Sequence, residues 1–235
     1  MNRHLNQEQE KRPGSLKPGQ DLIIAGSIGL TGAALAARKG ERTVRERFSR
    51  QYAECIFALD QRLLSQEEAE EIGRETGITD MELVGEGGVM NCLWRLLEAY
   101  GLGCSIELRA IPLRQETVEA CELFDLNPYR LHSGGCFLMA ADSGFAAVRE
   151  LRRRGFEGAV IGTVRPGPAR RLLNGEIETF LDRPKADELE KIRIIKIILK
   201  ISDISKITKQ HIKRIMIFND YNGRTSIRNQ KEAAV

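Results

Sequence analysis

The chain contains the segment Asp21-Leu22-Ile23-Ile24-Ala25-Gly26-Ser27-Ile28-Gly29-Leu30-Thr31-Gly32, which leads into the alanine-rich stretch 33–38. Residues 21–25 form a short apolar run, which is typical of a buried strand. The next seven residues include glycines, which serve turns because glycine adopts backbone angles that other residues avoid. Alanine has a high helix propensity, so the stretch after the turn favours a helix. The segment therefore predicts a strand, a glycine turn and a helix in succession.

The rest of the body alternates between predicted helices and strands. Apolar periodicity and turn residues predict strands at 105–108, 136–141 and 159–164, and helices at 45–64, 66–77, 89–100, 115–124 and 143–154. Ser65 and Glu68 have capping-box spacing, and Asn174-Gly175 is the favoured two-residue hairpin signal. We therefore predict an α+β fold, a layered α/β arrangement in which helices cover a mixed β-sheet.

Charge and composition divide the chain into three parts. The net charge of +3 is the sum of a basic tail and an acidic body. Residues 191–235 carry 11 Lys and Arg against three acidic residues, whereas residues 1–190 carry 25 Lys and Arg against 30 acidic residues. We predict a flexible arm at 1–16, one domain at 17–188, and a basic tail at 189–235. Isoleucines at helical spacing predict that this Ile/Lys-rich tail is helical.

The cysteines and histidines argue against several kinds of site. The five cysteines are odd in number and dispersed, which indicates neither a disulfide framework nor a thiolate metal site. Reduced thiols are typical of the cytoplasm, and the first residues lack the apolar run of a signal peptide. His132 precedes a predicted central strand, where it is either a structural histidine or an acid–base residue. We assign no catalytic residue and no metal site.

Two glycine turns are the candidate binding sites for phosphate or substrate. Gly29, Thr31 and Gly32 lie between a predicted strand and helix, where backbone N–H groups could approach a phosphate near the positive end of the helix dipole. Glu86, Gly87 and Gly88 precede the next such helix, and Glu86 could hold a magnesium ion that bridges phosphates. The alternatives are a tight structural turn at the first position and a solvated loop at the second. The first segment is not a Walker loop, because no Gly-Lys-Ser or Gly-Lys-Thr follows.

Three ordered segments resemble the C-terminal domain of the aminoimidazole ribonucleotide (AIR) synthase-related superfamily. They are residues 17–32, Gly85-Glu86-Gly87-Gly88, and Ala110-Ile111-Pro112-Leu113-Arg114-Gln115-Glu116-Thr117-Val118-Glu119-Ala120-Cys121-Glu122. The family includes a hydrogenase maturation factor that dehydrates a carbamoyl group. The resemblance implies a domain that is half of an enzyme using Mg-ATP, with a preceding domain supplying most of the nucleotide site. In this chain Leu83 stands where the family pattern has an acidic residue.

Two hypotheses about function follow. In the first, the chain is a stand-alone or truncated C-terminal domain that binds a nucleotide or substrate weakly, or completes a site with a separate chain carrying the ATP-binding domain. In the second, it is a non-catalytic interaction or oligomerisation module. For the tail, self-association ranks first and membrane contact through its lysines ranks lower. Nucleic acid also ranks low, because the basic stretch has few aromatic residues and no known motif.

Overall fold

The computed structural model of the chain describes residues 14–192 of the 235. Its strands are β1 (Asp21–Ala25), β2 (Ile78–Gly85), β3 (Gly103–Glu107), β4 (Ser133–Ala141), β5 (Gly158–Arg165), β6 (Arg170–Asn174) and β7 (Ile177–Phe180). Its helices include α1 (Leu30–Lys39), α2 (Glu41–Arg47), α3 (Arg50–Phe57), α4 (Gln66–Thr76), α5 (Gly88–Tyr100), α6 (Gln115–Leu123) and α7 (Phe145–Arg153). The predicted strand, glycine turn and helix at 21–38 is confirmed.

The strands form one seven-stranded sheet in the order β2-β4-β1-β5-β3-β6-β7. β3 and β6 pair in parallel, and the other neighbours are antiparallel. The predicted α+β fold with a mixed sheet is therefore confirmed. Since β1 lies between β4 and β5, the first of the described strands is an interior strand of the sheet.

Alternation along β1 fills two separate cores. Leu22 and Ile24 point into the core that α5 closes, whereas Ile23 and Ala25 point into the core that α4 and α7 close. All four side chains are completely buried. A strand buried on both faces reads as a continuous apolar run rather than as an alternation of apolar and polar residues. Helices therefore cover both faces of the sheet at its centre.

The capping predicted for α4 is confirmed in full. The Glu68 N–H donates to Ser65 Oγ (3.2 Å), and the Ser65 N–H donates to Glu68 Oε2 (2.9 Å). The helix ends at Gly77, whose φ of 75° is in the left-handed region that favours glycine. Satisfied N–H groups at one end and a glycine at the other fix the length of this helix.

Three details of the sequence-based prediction are wrong. The helix predicted at 45–64 is the end of α2 followed by α3, and residues 58–64 are not helical; the break arises because Phe48 is extended and Ser49 Oγ accepts a hydrogen bond from the Tyr52 N–H (3.3 Å), which starts α3. Strand β2 was not predicted, since acidic residues interrupt its apolar pattern. The hairpin loop is Gly175-Glu176 rather than Asn174-Gly175, because Asn174 pairs with Ile177 across the turn.

The arm at 1–16 and the tail at 189–235 lie largely outside the described residues and stay predictions. At the edge of the arm, Leu16 is buried in the core beside α5, and the Ser15 N–H donates to the Thr79 carbonyl (2.9 Å). Within residues 14–192, no helix combines the length and the apolar character needed to cross a membrane.

Candidate functional site

Both predicted turns lie at one edge of the sheet. β1 and β2 each pair antiparallel with β4, so both run in the same direction; β2 ends opposite Ser133, where β4 begins, and β1 ends opposite Phe137, four residues further along β4. Each is followed by a turn and a helix whose N-cap is a glycine in the left-handed region, Gly29 for α1 (φ 73°) and Gly87 for α5 (φ 74°). Two helix N-termini, each carrying a partial positive charge, therefore flank the start of β4.

The first turn is bonded to the start of β4. Three hydrogen bonds join them: Gly29 N–H to Ser133 Oγ (2.7 Å), Gly32 N–H to the His132 carbonyl (3.0 Å), and Thr31 Oγ1 to the Gly134 carbonyl (3.1 Å). Gly29 and Gly32 are buried, and Thr31 is half-buried. A β-carbon on Gly32 would lie 2.4 Å from Leu131 Cγ, so the close approach requires glycine. These contacts give the three residues a packing role at the sheet edge.

The second turn has one exposed carboxylate and one occupied N–H. Glu86 is exposed, whereas Gly87 and Gly88 are buried. The Gly87 N–H donates to Asp187 Oδ2 (2.7 Å), and a β-carbon on Gly88 would lie 2.5 Å from the Tyr129 carbonyl oxygen. The carboxylate of Asp187 thus holds the position at the start of α5 that an anionic ligand would favour.

Residues 182–188, which we call the strap, cross the start of α5. The side-chain amide of Asn91 donates to the Lys185 carbonyl (2.8 Å) and accepts from the Lys185 N–H (3.1 Å). Further bonds anchor the ends of the strap: Arg130 Nη2 to Asp182 Oδ2 (3.1 Å), Asn127 N–H to Glu188 Oε2 (3.0 Å), and Glu188 N–H to the Arg130 carbonyl (3.3 Å). The strap is therefore held at both ends and at its centre.

A polar cleft of about 280 Å³ adjoins the first turn. Its lining comes from separate parts of the chain: Gly26, Ser27, Leu30, Ala58, Leu59, Gln61, Arg62, Leu63, Leu64, Arg114, Gly135, Gly155, Phe156 and Glu157. The six predicted site residues are not among them. The cleft therefore lies next to the predicted Gly29–Gly32 turn without including it.

Charged side chains in the cleft are only partly neutralised. The Glu157 carboxylate accepts hydrogen bonds from the Ser27 hydroxyl and from Arg114 Nε (3.0 Å). The Arg62 guanidinium lies over the Phe156 ring, 5.1 Å from its centroid. Two guanidinium groups against one carboxylate leave the lining with a net positive charge, which favours an anionic ligand.

Sequence analysis missed these charged residues because they come from distant parts of the chain. Arg62 precedes α4, Arg114 precedes α6, and Glu157 precedes β5. The one signal available in the sequence was the position of Arg114 immediately before a predicted helix.

His132 contacts the first turn through its backbone, because its carbonyl oxygen accepts a hydrogen bond from the Gly32 N–H.

Among the described residues, no group of three or more His, Cys, Asp or Glu side chains could hold a metal ion. All five cysteines are free, and four of them are buried. Burial raises the pKa of the Cys104 and Cys121 thiols to about 12, which makes them poor nucleophiles at neutral pH.

The described residues form an α+β domain. Helices cover its mixed sheet, and two helices with glycine N-caps start at one edge of that sheet. The family model described as "AIR synthase related protein, C-terminal domain" matches residues 17–173. The chain belongs to this AIR synthase-related family, as the sequence predicted.

Known proteins that resemble the chain include hydrogenase maturation factors. Carbamoyl dehydratase HypE of Rhodobacter capsulatus is 28% identical over 152 residues, which cover 64% of this chain and 42% of that protein. The crystal structure of E. coli HypE has a TM-score of 0.60 at 21% identity and covers 76% of this chain and 54% of that one. The chain therefore spans less than half the length of the Rhodobacter capsulatus protein.

Two further solved structures share the fold and contain a partner or a nucleotide. A HypE-HypF complex has a TM-score of 0.58 at 20% identity and covers 73% of this chain and 55% of that one. HypE in complex with ATP has a TM-score of 0.53 at 18% identity, and the match covers 74% of this chain and 53% of that one. At this level of identity the likeness establishes the fold.

Proposed function

We propose that this domain forms one side of a binding site for a phosphate-bearing ligand, either a nucleotide or a substrate, and that a second domain completes the site. The second domain lies in the same protein or in a partner chain. The observation that carries the proposal is the net positive cleft beside α1, at the edge where α1 and α5 begin with glycine N-caps. The solved structure of HypE with ATP supports it.

The residues of this edge fit phosphate better than they fit magnesium. Arg62 and Arg114 provide guanidinium groups, which suit phosphate oxygens. Magnesium is usually held by one or two carboxylates together with the substrate phosphates, and Glu86 is the exposed carboxylate of the second turn. Glu86 would hold magnesium here only with oxygens from the nucleotide or from the second domain. We therefore expect weak nucleotide binding and no appreciable ATP hydrolysis by this chain alone.

Calorimetric titration with ATP, with and without magnesium, tests the proposal. Arg62→Ala combined with Arg114→Ala should weaken binding at least several-fold, because it removes both guanidinium groups from the cleft. The matched control is Arg165→Ala, which removes an exposed arginine at the opposite end of β5 and should leave binding unchanged. Absence of any binding to the wild-type chain would overturn the proposal. Magnesium-dependent hydrolysis that is lost in Glu86→Ala would show that Glu86 is a metal ligand and that the chain is active by itself.

The alternative is a non-catalytic interaction or oligomerisation module. It rests on the isoleucine stripe of the tail, outside the described residues, and on the five exposed large apolar side chains of the described part, Leu83, Phe145, Val160, Ile177 and Phe180. Phe145 and Val160 border a groove of about 440 Å³ between α7 and β5. Nucleotide binding that depends on the cleft arginines would favour the ligand-binding hypothesis over this one.

A further inference from the structure

The strap places two carboxylates on two groups that bind anions. Asp187 accepts a hydrogen bond from the Gly87 N–H at the start of α5, and Asp182 accepts one from Arg130 Nη2. Asp187 is 6% exposed, so its charge is largely withdrawn from water. A buried carboxylate at a helix N-terminus is stabilised by the N–H groups and by the helix dipole, as a phosphate would be.

Arg130 has donor capacity that the strap does not use. Its side chain is 14% exposed, and its Nη1 is buried without a hydrogen-bond partner among the described residues. A buried guanidinium nitrogen without a partner is costly, because it has lost its water and gained no acceptor. A ligand with several oxygens could satisfy both nitrogens of this group, which the single oxygen of Asp182 does not.

We propose that the strap is a built-in competitor: Asp187 occupies the anion position of the second glycine turn, Asp182 occupies the guanidinium of Arg130, and the strap must leave before a ligand phosphate can contact either group. This inference rests on the proposed function, since it requires a phosphate-bearing ligand at this edge. Asn91 is the latch, because its side chain makes two bonds to Lys185 at the centre of the strap. Ligand affinity is then reduced by the fraction of molecules in which the strap is closed.

Titration of ATP into three proteins tests the strap. Asp187→Asn keeps the shape of the side chain and removes its charge, so ATP should bind roughly two- to ten-fold tighter than to wild type. Asn91→Ala leaves every charge in place and releases the latch, so it should also tighten binding and should speed hydrogen exchange at the Lys185 amide. The matched control is Glu176→Gln, an exposed acid-to-amide change in the β6–β7 hairpin that should change neither quantity.

The outcomes separate this inference from the proposed function. Equal ATP affinities in wild type, Asp187→Asn and Asn91→Ala would overturn the strap as a competitor and leave the ligand-binding proposal standing. Weaker binding in both variants, with thermal unfolding unchanged, would instead make the strap part of the binding site and would also overturn its role as a competitor. Absence of binding to all of these proteins would overturn the proposed function and this inference together.

Discussion

Gly32 illustrates how packing rather than backbone angle can require a glycine. It lies in the first turn of α1, where alanine would normally be the better helix former. A β-carbon there would lie 2.4 Å from Leu131 Cγ and 2.9 Å from the His132 carbonyl oxygen. Leu131 is fully buried, so it has little room to move. The steric cost therefore exceeds the gain in helix propensity.

Gly32→Ala should lower the free energy of unfolding by about 1–3 kcal/mol, the usual cost of overpacking. Urea unfolding measures it. Gly73→Ala is the matched control within α4, because the nearest atom to its β-carbon is Ile78 Cβ at an ordinary 3.5 Å. That variant should be more stable than wild type by about 0.5–1 kcal/mol. A Gly32→Ala protein as stable as wild type would show that Leu131 and the His132 carbonyl can move to admit the β-carbon, so that packing does not require glycine there.

Among the helices and strands, the sequence was informative wherever local chemistry determines the structure. The capping box of α4 and the apolar run of β1 needed only neighbouring residues, and both were predicted. Strand β2 depends on distant partners: Tyr100 donates to the Asp80 carboxylate (2.5 Å), and Arg95 donates to Glu82 (2.7 Å). Without knowledge of those partners, acidic residues argue against a strand.

In the candidate site, too, the features set by neighbouring residues were predicted and those set by distant contacts were not. Its glycine turns are contiguous in sequence and were predicted at the ends where α1 and α5 begin. The cleft and the strap depend on contacts across the fold, such as Gly87 with Asp187. A single sequence carries no signal for such pairs.

Arg154 fastens α7 to α4. It donates to Glu71 and Glu75 of α4, and to Glu150 one turn earlier in α7 (2.6 Å). Hydrogen bonds from Arg153 and then Arg154 lower the pKa of Glu150 to about 2 from its ordinary 4.5. A lowered pKa in the folded state stabilises the protein above the ordinary pKa, and this contribution is lost as pH falls toward the folded value.

Arg154→Ala should therefore unfold at a lower urea concentration than wild type at pH 7, and the difference should shrink between about pH 4.5 and pH 2 as Glu150 is protonated. Urea unfolding at several pH values measures this. Arg152→Ala, at an exposed position of the same helix, is the control and should follow wild type at every pH. A difference that stays constant down to pH 2 would mean that Arg154 acts through packing rather than charge.

For the molecule as a whole, the predicted domain boundary at residue 188 coincides with the end of the strap. A chain ending at Glu190 should unfold in a single cooperative transition, because it keeps the whole sheet and the strap contacts. A chain ending at Leu181 loses the bonds of Lys185, Asp187 and Glu188, so its thermal midpoint should be lower. Scanning calorimetry on the two chains compares them. A chain ending at Glu190 that unfolds without cooperativity would place residues beyond it in the core.

The position of β1 in the sheet has a consequence for how the protein is made. Of the seven strands of the sheet this one leaves the ribosome first, yet its two neighbours are β4 and β5, which are synthesised more than a hundred residues later. At usual translation rates of about 5–20 residues per second, the apolar run of β1 waits on the order of ten seconds for its first partner. During that interval the nascent chain exposes the apolar residues 22–25 without their native strand partners, and exposed apolar surface of this kind is what chaperones bind.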